Sequence, residues 1–194
     1  ATLEGAPVFE VTKLELEALT QGAVHQGVAM EIAAYDYADA LELLDRVSAT
    51  GRKPLFVALD QVTDPHNLGA VLRSAGAFGA DGVIIPQRRS ADVNATVWKV
   101  SAGAAARVPV AKETNLVRTL EAFKARGCFV VGLDGNASVS VDNLNLADQP
   151  LVLVTGAEGK GLSRLVRETC DEIASINIRA AVESLNAAVA TGIA

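Results

Sequence analysis

LVLVTGAEGKGLSRLVRETCDEIASINIRAAVESLN, residues 151–186, decides the fold. An apolar run at 151–154 ends in a loop carrying Gly156, Gly159 and Gly161, and a helical pattern follows over 162–169. That succession predicts a strand, a glycine loop and a helix. Glycines at such a junction let backbone N–H groups come close to a ligand with no Cβ in the way. The order here is G-x-x-G-x-G, so the dinucleotide fingerprint G-x-G-x-x-G is absent. Lys160 is followed by Gly161, so the Ser or Thr that a nucleotide phosphate loop uses to hold magnesium is absent too. A glycine-rich turn without a ligand stays open on this stretch alone.

Working outward, the chain alternates between strand and helix patterns from residue 55 on. Strands are expected at 55–59, 83–85, 108–110, 129–133, 151–154 and 173–178. Helices are expected up to Phe78, through Val100, over 116–125, over 162–169 and from 187 to the end. Short apolar strands alternating with helices imply an α/β fold, a mostly parallel sheet covered by helices on both faces. Before it, 11–19 reads as a helix with Thr12 and Glu15 in capping-box positions, 28–32 as a strand, and 38–47 as a helix. The opening 35 residues lack a domain-sized pattern. They read as the tail of an upstream domain plus a linker, with the main domain at 36–194.

A second cluster, DQVTDPHNLGAVLRSAGAFGA at 60–80, falls at the carboxyl end of the first strand of the sheet, where open α/β sheets bind ligands. Asp64 and Pro65 suit the N-cap and first position of a helix, which places His66 and Asn67 in its first turn. Gly69, Arg73 and Gly76 share a face by spacing, so Arg73 is expected to lean over Gly69 toward Asn67. His66 reads as a turn residue.

Half of the 194 residues are hydrophobic, ample for a core, and the net charge of −6 argues against a domain that grips nucleic acid through its overall field. Local basic groups exist at Arg52–Lys53, at Arg88–Arg89 and at Lys160, Arg164 and Arg167. Read singly, each is solvated surface. No apolar run is long enough to span a membrane and the opening lacks a signal-peptide pattern, so a cytoplasmic location is expected. Cys128 and Cys170 have no metal-ligand spacing and read as buried, reduced thiols; no metal is expected.

Three motifs taken together, NLGAVLR at 67–73, LVLVTGAEGKGL at 151–162, and SINI with ESLNAAVATG within 175–192, resemble those of the SpoU (TrmH) RNA ribose methyltransferases. The resemblance covers 55–194, and GAVHQGVAMEI at 22–32 resembles the junction after the N-terminal RNA-binding domain of ribosomal members. It implies a deep C-terminal trefoil knot, an exception to unknotted chains. It also implies S-adenosyl-L-methionine held by backbone groups, with cofactor-binding residues Thr155, Gly156, Gly161, Ile176, Ile178, Leu185 and Asn186. Implied catalytic residues are Arg73, Asn67, Glu158, Ser184 and Asn186. Arg73 would bind phosphate and offset alkoxide charge, and Glu158 is the carboxylate able to take a proton. Glu158 can equally be a charge placed favourably before a helix N-terminus.

A homodimer and a ribosomal-RNA substrate, a guanosine 2′-hydroxyl of 23S RNA, are implied as well. Two departures stand out: Asn177 occupies a position where proline is usual, and Ala188 one where serine is common. They keep open a non-catalytic RNA-binding module on the same fold. Transfer RNA is the alternative substrate, and a nucleotide-dependent oxidoreductase is the rival from another enzyme class.

Overall fold

The computed structural model describes residues 2–3, 6–146, 148–178 and 184–194. The chain divides into two compact units, 1–34 and 35–194. In the first, β1 (Thr2–Leu3) pairs antiparallel with β2 (Ala6–Pro7), and α1 (Lys13–Leu19) follows. The capping box forms as its spacing predicts: the Thr12 hydroxyl accepts from the Glu15 N–H, and the Glu15 carboxylate accepts from the Thr12 N–H at 2.7 Å. The strand expected at 28–32 does not form; Val28, Met30 and Ile32 are exposed and unladdered. Alternating apolar residues make a strand only where a neighbouring edge takes their hydrogen bonds.

The second unit opens with α2 (Ala40–Ser48), capped by Asp39, whose carboxylate accepts from the Leu41 and Glu42 N–H groups. Then come β3 (Leu55–Asp60), α3 (Pro65–Phe78), β4 (Gly82–Pro86), α4 (Ala95–Val100), β5 (Val110–Glu113), α5 (Leu116–Ala125) and β6 (Phe129–Leu133). They are followed by β7 (Val139–Ser140), β8 (Leu151–Gly156), α6 (Arg164–Thr169), β9 (Glu172–Ser175) and α7 (Ala187–Ile193). The seven strands β3 to β9 form one sheet in the order β5-β4-β3-β8-β6-β9-β7, with every pair parallel.

Strand pleating sorts the core into two faces. Phe56, Ala58, Ile84, Val152 and Val154 pack under α2, α5 and α6. Val57, Leu59, Val83 and Ile85 face α3, α4 and Ala188 of α7. The sheet is therefore covered on both sides, as the apolar strands imply.

Many boundaries shift by one to three residues from the sequence reading, and those of β5, β9 and α6 shift with a visible cause or consequence. β5 starts at Val110 and runs to Glu113, because its polar end is engaged: Lys112 pairs with Asp92, and Glu113 accepts from the Ala40 N–H at 3.2 Å. β9 ends at Ser175, not 178, and α6 begins at Arg164, after Ser163 at the N-cap. The expected trefoil knot depends on the path through 179–183, which lies outside the described residues.

Candidate active site

The carboxyl ends of β3 and β8 lie side by side, with Asp60 opposite Gly156. After Gly156 the chain curls back on itself. The Gly161 N–H donates to the Ala157 carbonyl at 2.8 Å. A Cβ on Gly156 would lie 2.2 Å from the Gly161 carbonyl carbon and 2.5 Å from the Leu162 nitrogen. Glycine is required there by close backbone approach, whereas Gly159 (φ +72°) and Gly161 (φ +64°) are required by left-handed conformation. The far end of the loop is held from another strand: the buried Asp60 carboxylate accepts the Ser163 N–H at 2.6 Å.

This curl forms one wall of a cavity of about 550 Å³. Leu133, Asp134, Gly135 and Asn136 at the end of β6 line it too, as do Ile176 and Ile178 after β9 and Ser184, Leu185 and Asn186 before α7. An ion pair between Asp134 and Arg167 of α6 ties the end of β6 down. All seven residues assigned to the cofactor from sequence line this cavity: Thr155, Gly156, Gly161, Ile176, Ile178, Leu185 and Asn186.

At its rim three side chains from three separate motifs meet. The Asn186 carbonyl caps α7, accepting from the Ala188 and Val189 N–H groups at 2.9 and 3.2 Å. Its amide nitrogen must then face the other way, and it donates to the Asn67 carbonyl oxygen at 2.8 Å and to Glu158. With its oxygen so used, Asn67 donates from Nδ2 to Glu158 Oε1 at 3.0 Å. The Ala187 N–H reaches the same oxygen at 3.4 Å. A single carboxylate oxygen thus collects three donors. Ser184 lines the cavity beside this group.

Arg73 is placed differently from expectation. Gly69 does not clear a path for it: a Cβ there would stand 2.7 Å from Val100 Cβ, so the glycine serves the close packing of α3 on α4. Arg73 is exposed on α3, outside the cavity lining, with no hydrogen bond or ion pair among the described residues. Of the basic groups, Arg52 pairs with Asp81, Arg164 with Glu168 and Arg167 with Asp134, whereas Lys160 lines the cavity. His66 donates its backbone N–H to Asp64 at the α3 N-cap, the turn role expected of it.

The two departures have local explanations. Asn177 Nδ2 lies 3.5 Å from the Asp142 carboxylate, a side-chain tether where the usual ring would fix φ. Ala188 is buried in the apolar cluster with Leu68, Val71 and Leu72, where a hydroxyl would need a partner. Cys128 and Cys170 are free thiols, each pushed up to about 11 by burial. Neither is a nucleophile at neutral pH. Cys170 is only partly buried, short of the expectation.

Sequence reasoning missed Asp60, Asp134 and the residue that braces α7, Thr191. Asp60 and Asp134 are both detectable as a charge closing an apolar strand, in LFVALD and FVVGLD; Thr191 sits in an Ala-rich helix that carries no signal.

Comparison with known proteins agrees with the geometry. Residues 54–194 match the model of the SpoU rRNA Methylase family, and 1–38 match that of the RNA 2′-O ribose methyltransferase substrate binding domain. An uncharacterized tRNA/rRNA methyltransferase of Mycobacterium avium is 52% identical over 190 residues, and one of Mycobacterium ulcerans 51%. These alignments take in 97% of this chain and 60% of each relative, so the chain spans about three fifths of their length.

Among solved structures, the SpoU methyltransferase AviRb of Streptomyces viridochromogenes in complex with S-adenosylmethionine superposes with a TM-score of 0.71. It is 29% identical, over 95% of this chain and 76% of that one. An S-adenosylmethionine-bound rRNA methyltransferase of Sinorhizobium meliloti gives 0.67 at 32% identity, over 72% and 53%. With its glycine curl, its polar trio and these matches, the chain belongs to the SpoU rRNA methylase family.

Proposed function

We propose that this chain transfers a methyl group from S-adenosyl-L-methionine to a ribose 2′-hydroxyl of RNA, a guanosine of 23S ribosomal RNA. The observation that carries the reading is the meeting of Asn67, Glu158 and Asn186 at the rim of the glycine-loop cavity. The cavity fits the cofactor. Its volume is in the range of nucleoside-sized sites, apolar Leu133, Ile176, Ile178 and Leu185 line it beside polar Thr155, Glu158 and Asn186, and the absence of a Cβ at Gly156 lets the loop curl closely enough to form its wall. When bound, the cofactor supplies an electrophilic methyl on a sulfonium.

The chain's own residues then orient the acceptor. Asn67 and Asn186 are locked by their mutual bonds, so Glu158 is held with Oε1 fully engaged and Oε2 left to accept the hydroxyl proton. Arg73, exposed and without a hydrogen bond or ion pair among the described residues, is available to an RNA phosphate and to developing alkoxide charge. A guanidinium offers donors and no acceptor, so Arg73 is given no role as base. Positioning of this kind supplies much of the rate.

The substrate choice rests on the junction at 22–32 and on the ribosomal RNA named in the family description. The overall charge of −6 supplies little phosphate affinity, so we assign RNA capture to an N-terminal domain whose tail is residues 1–35, and activity to a homodimer of 36–194. Exposed Phe78, Val189 and Ile193 on α3 and α7 support an interface between copies.

The test is incubation of the full-length protein, carrying the N-terminal domain assigned to RNA capture, with methyl-labelled cofactor and unmodified 23S RNA or transfer RNA, followed by nuclease digestion and mass spectrometry. 2′-O-methylguanosine in 23S RNA is the expected product. Label in transfer RNA alone overturns the substrate assignment, and full turnover by Arg73→Ala overturns the role of Arg73.

A further inference from the structure

Behind the polar trio, two buried threonines connect the cavity floor to α7. Thr191 Oγ1 donates to the Ala187 carbonyl at 2.8 Å, and lies 2.8 Å from Thr155 Oγ1. A hydroxyl has one proton, and that of Thr191 is committed to the carbonyl, so Thr155 must donate to Thr191. Both side chains are buried, at 4% and 7% exposure. The direction is thus fixed: Thr155 to Thr191 to the Ala187 carbonyl.

Ala187 in turn presents its N–H to Glu158 Oε1, and Glu158 follows Thr155 by three residues. The circuit closes on itself. It starts at the end of β8, crosses to α7 and returns to the loop after β8. Asn186, at the N-cap of the same helix, can reach Asn67 and Glu158 together only while α7 keeps its rotation about its axis. The other side of α7 leaves little slack, since a Cβ on Gly192 would stand 3.0 Å from Ser74 Oγ.

We propose that Thr191, through Thr155, is a positioning residue for methyl transfer: it sets the rotation of α7 and hence the aim of the Asn186 amide at Glu158. This rests on the functional reading above. Thr191 is not among the residues that line the cavity, so its loss should misaim the trio and leave the cavity walls in place. Thr155 lines the cavity, so the sharper test is on Thr191.

The experiment measures turnover of 23S RNA, S-adenosylhomocysteine affinity by calorimetry, and the melting temperature, for the full-length wild-type protein and for its Thr191→Val and Thr191→Ser variants. The inference expects Thr191→Val to lower kcat by about tenfold or more with S-adenosylhomocysteine Kd changed less than about threefold, and Thr191→Ser to restore most of the turnover. Amide exchange at Ala187 should quicken in the valine variant alone. If Thr191→Val keeps kcat within about threefold of wild type, the inference is overturned. A parallel loss of turnover, affinity and melting temperature, unrescued by serine, shows a merely structural role and overturns it as well. Full-length wild-type protein that binds S-adenosylhomocysteine yet methylates no RNA defeats the functional reading, and with it this role.

Discussion

Gly156→Ala is the smallest change that should close the cavity. The added methyl would sit 2.2 Å from the Gly161 carbonyl carbon, 2.3 Å from its oxygen and 2.5 Å from the Leu162 nitrogen. All three are backbone atoms, so no side chain can swing away. To reach ordinary contact the returning strand of the loop must retreat by roughly 1.5 Å. It cannot do so freely: the Gly161 N–H is bonded to Ala157 and the Ser163 N–H to Asp60 at 2.6 Å. Breaking one of these adds about 1 kcal/mol to an overpacking cost of about 1–3 kcal/mol. A displacement of that size at the ligand-facing backbone should weaken S-adenosylhomocysteine binding by about 100-fold. Calorimetry on folded protein, checked by circular dichroism, measures it. Wild-type affinity in a Gly156→Ala chain that melts normally would refute both the close-approach reasoning and the location of the cofactor.

Two further outcomes follow from packing and from burial. Gly69→Ala places a Cβ 2.7 Å from Val100 Cβ and 3.2 Å from the Val97 carbonyl, so chemical denaturation should show a loss of about 1–3 kcal/mol with little change in ligand affinity. An unchanged midpoint would mean that α4 gives way without cost. Burial raises the Cys128 and Cys170 thiols from 9.0 to about 11, so at pH 8 the folded chain should hold about 100-fold less thiolate than the unfolded one and react that much more slowly with iodoacetamide. The sign for stability is set by the same values: the unfolded thiols release protons first, so their contribution is intact below pH 9 and is lost between pH 9 and about 11. Equal labelling rates at pH 8 would contradict this burial.

Where the chemistry of the chain is local, the sequence is readable. Asp64-Pro65 and Thr12-x-x-Glu15 mark helix starts because a cap is decided within one turn. The glycine loop is legible because only its spacing is needed to exclude the common nucleotide loops. Long-range partnership is not legible. Nothing around Asp60 says that it will receive the N–H of Ser163, and nothing in ATGI says that Thr191 will meet Thr155. Gly69 was given to Arg73 because periodicity shows which residues share a face and not which neighbour that face meets. VAKE at 110–113 reads poorly as a strand because its last two side chains serve ion pairing and capping at a sheet edge, where alternation no longer reports burial. The site residues come together as a group only through family motifs, since each lies on a different element.

The place of β8 in the sheet bears on how the chain is made. It is inserted between β3 and β6, and among the sheet strands only β9 follows it in sequence. During synthesis β3, β4 and β5 can pair as soon as they leave the ribosome, but β3 keeps an open edge until residues 151–156 emerge, and β6 has neither of its neighbours before then. Unpaired, apolar parallel strands are templates for wrong association. The chain therefore passes through a stretch of translation, after residue 133 and before residue 156, in which two sticky edges wait for one strand. Slowed elongation in that interval should favour aggregation, and chaperone occupancy of the nascent chain should peak there.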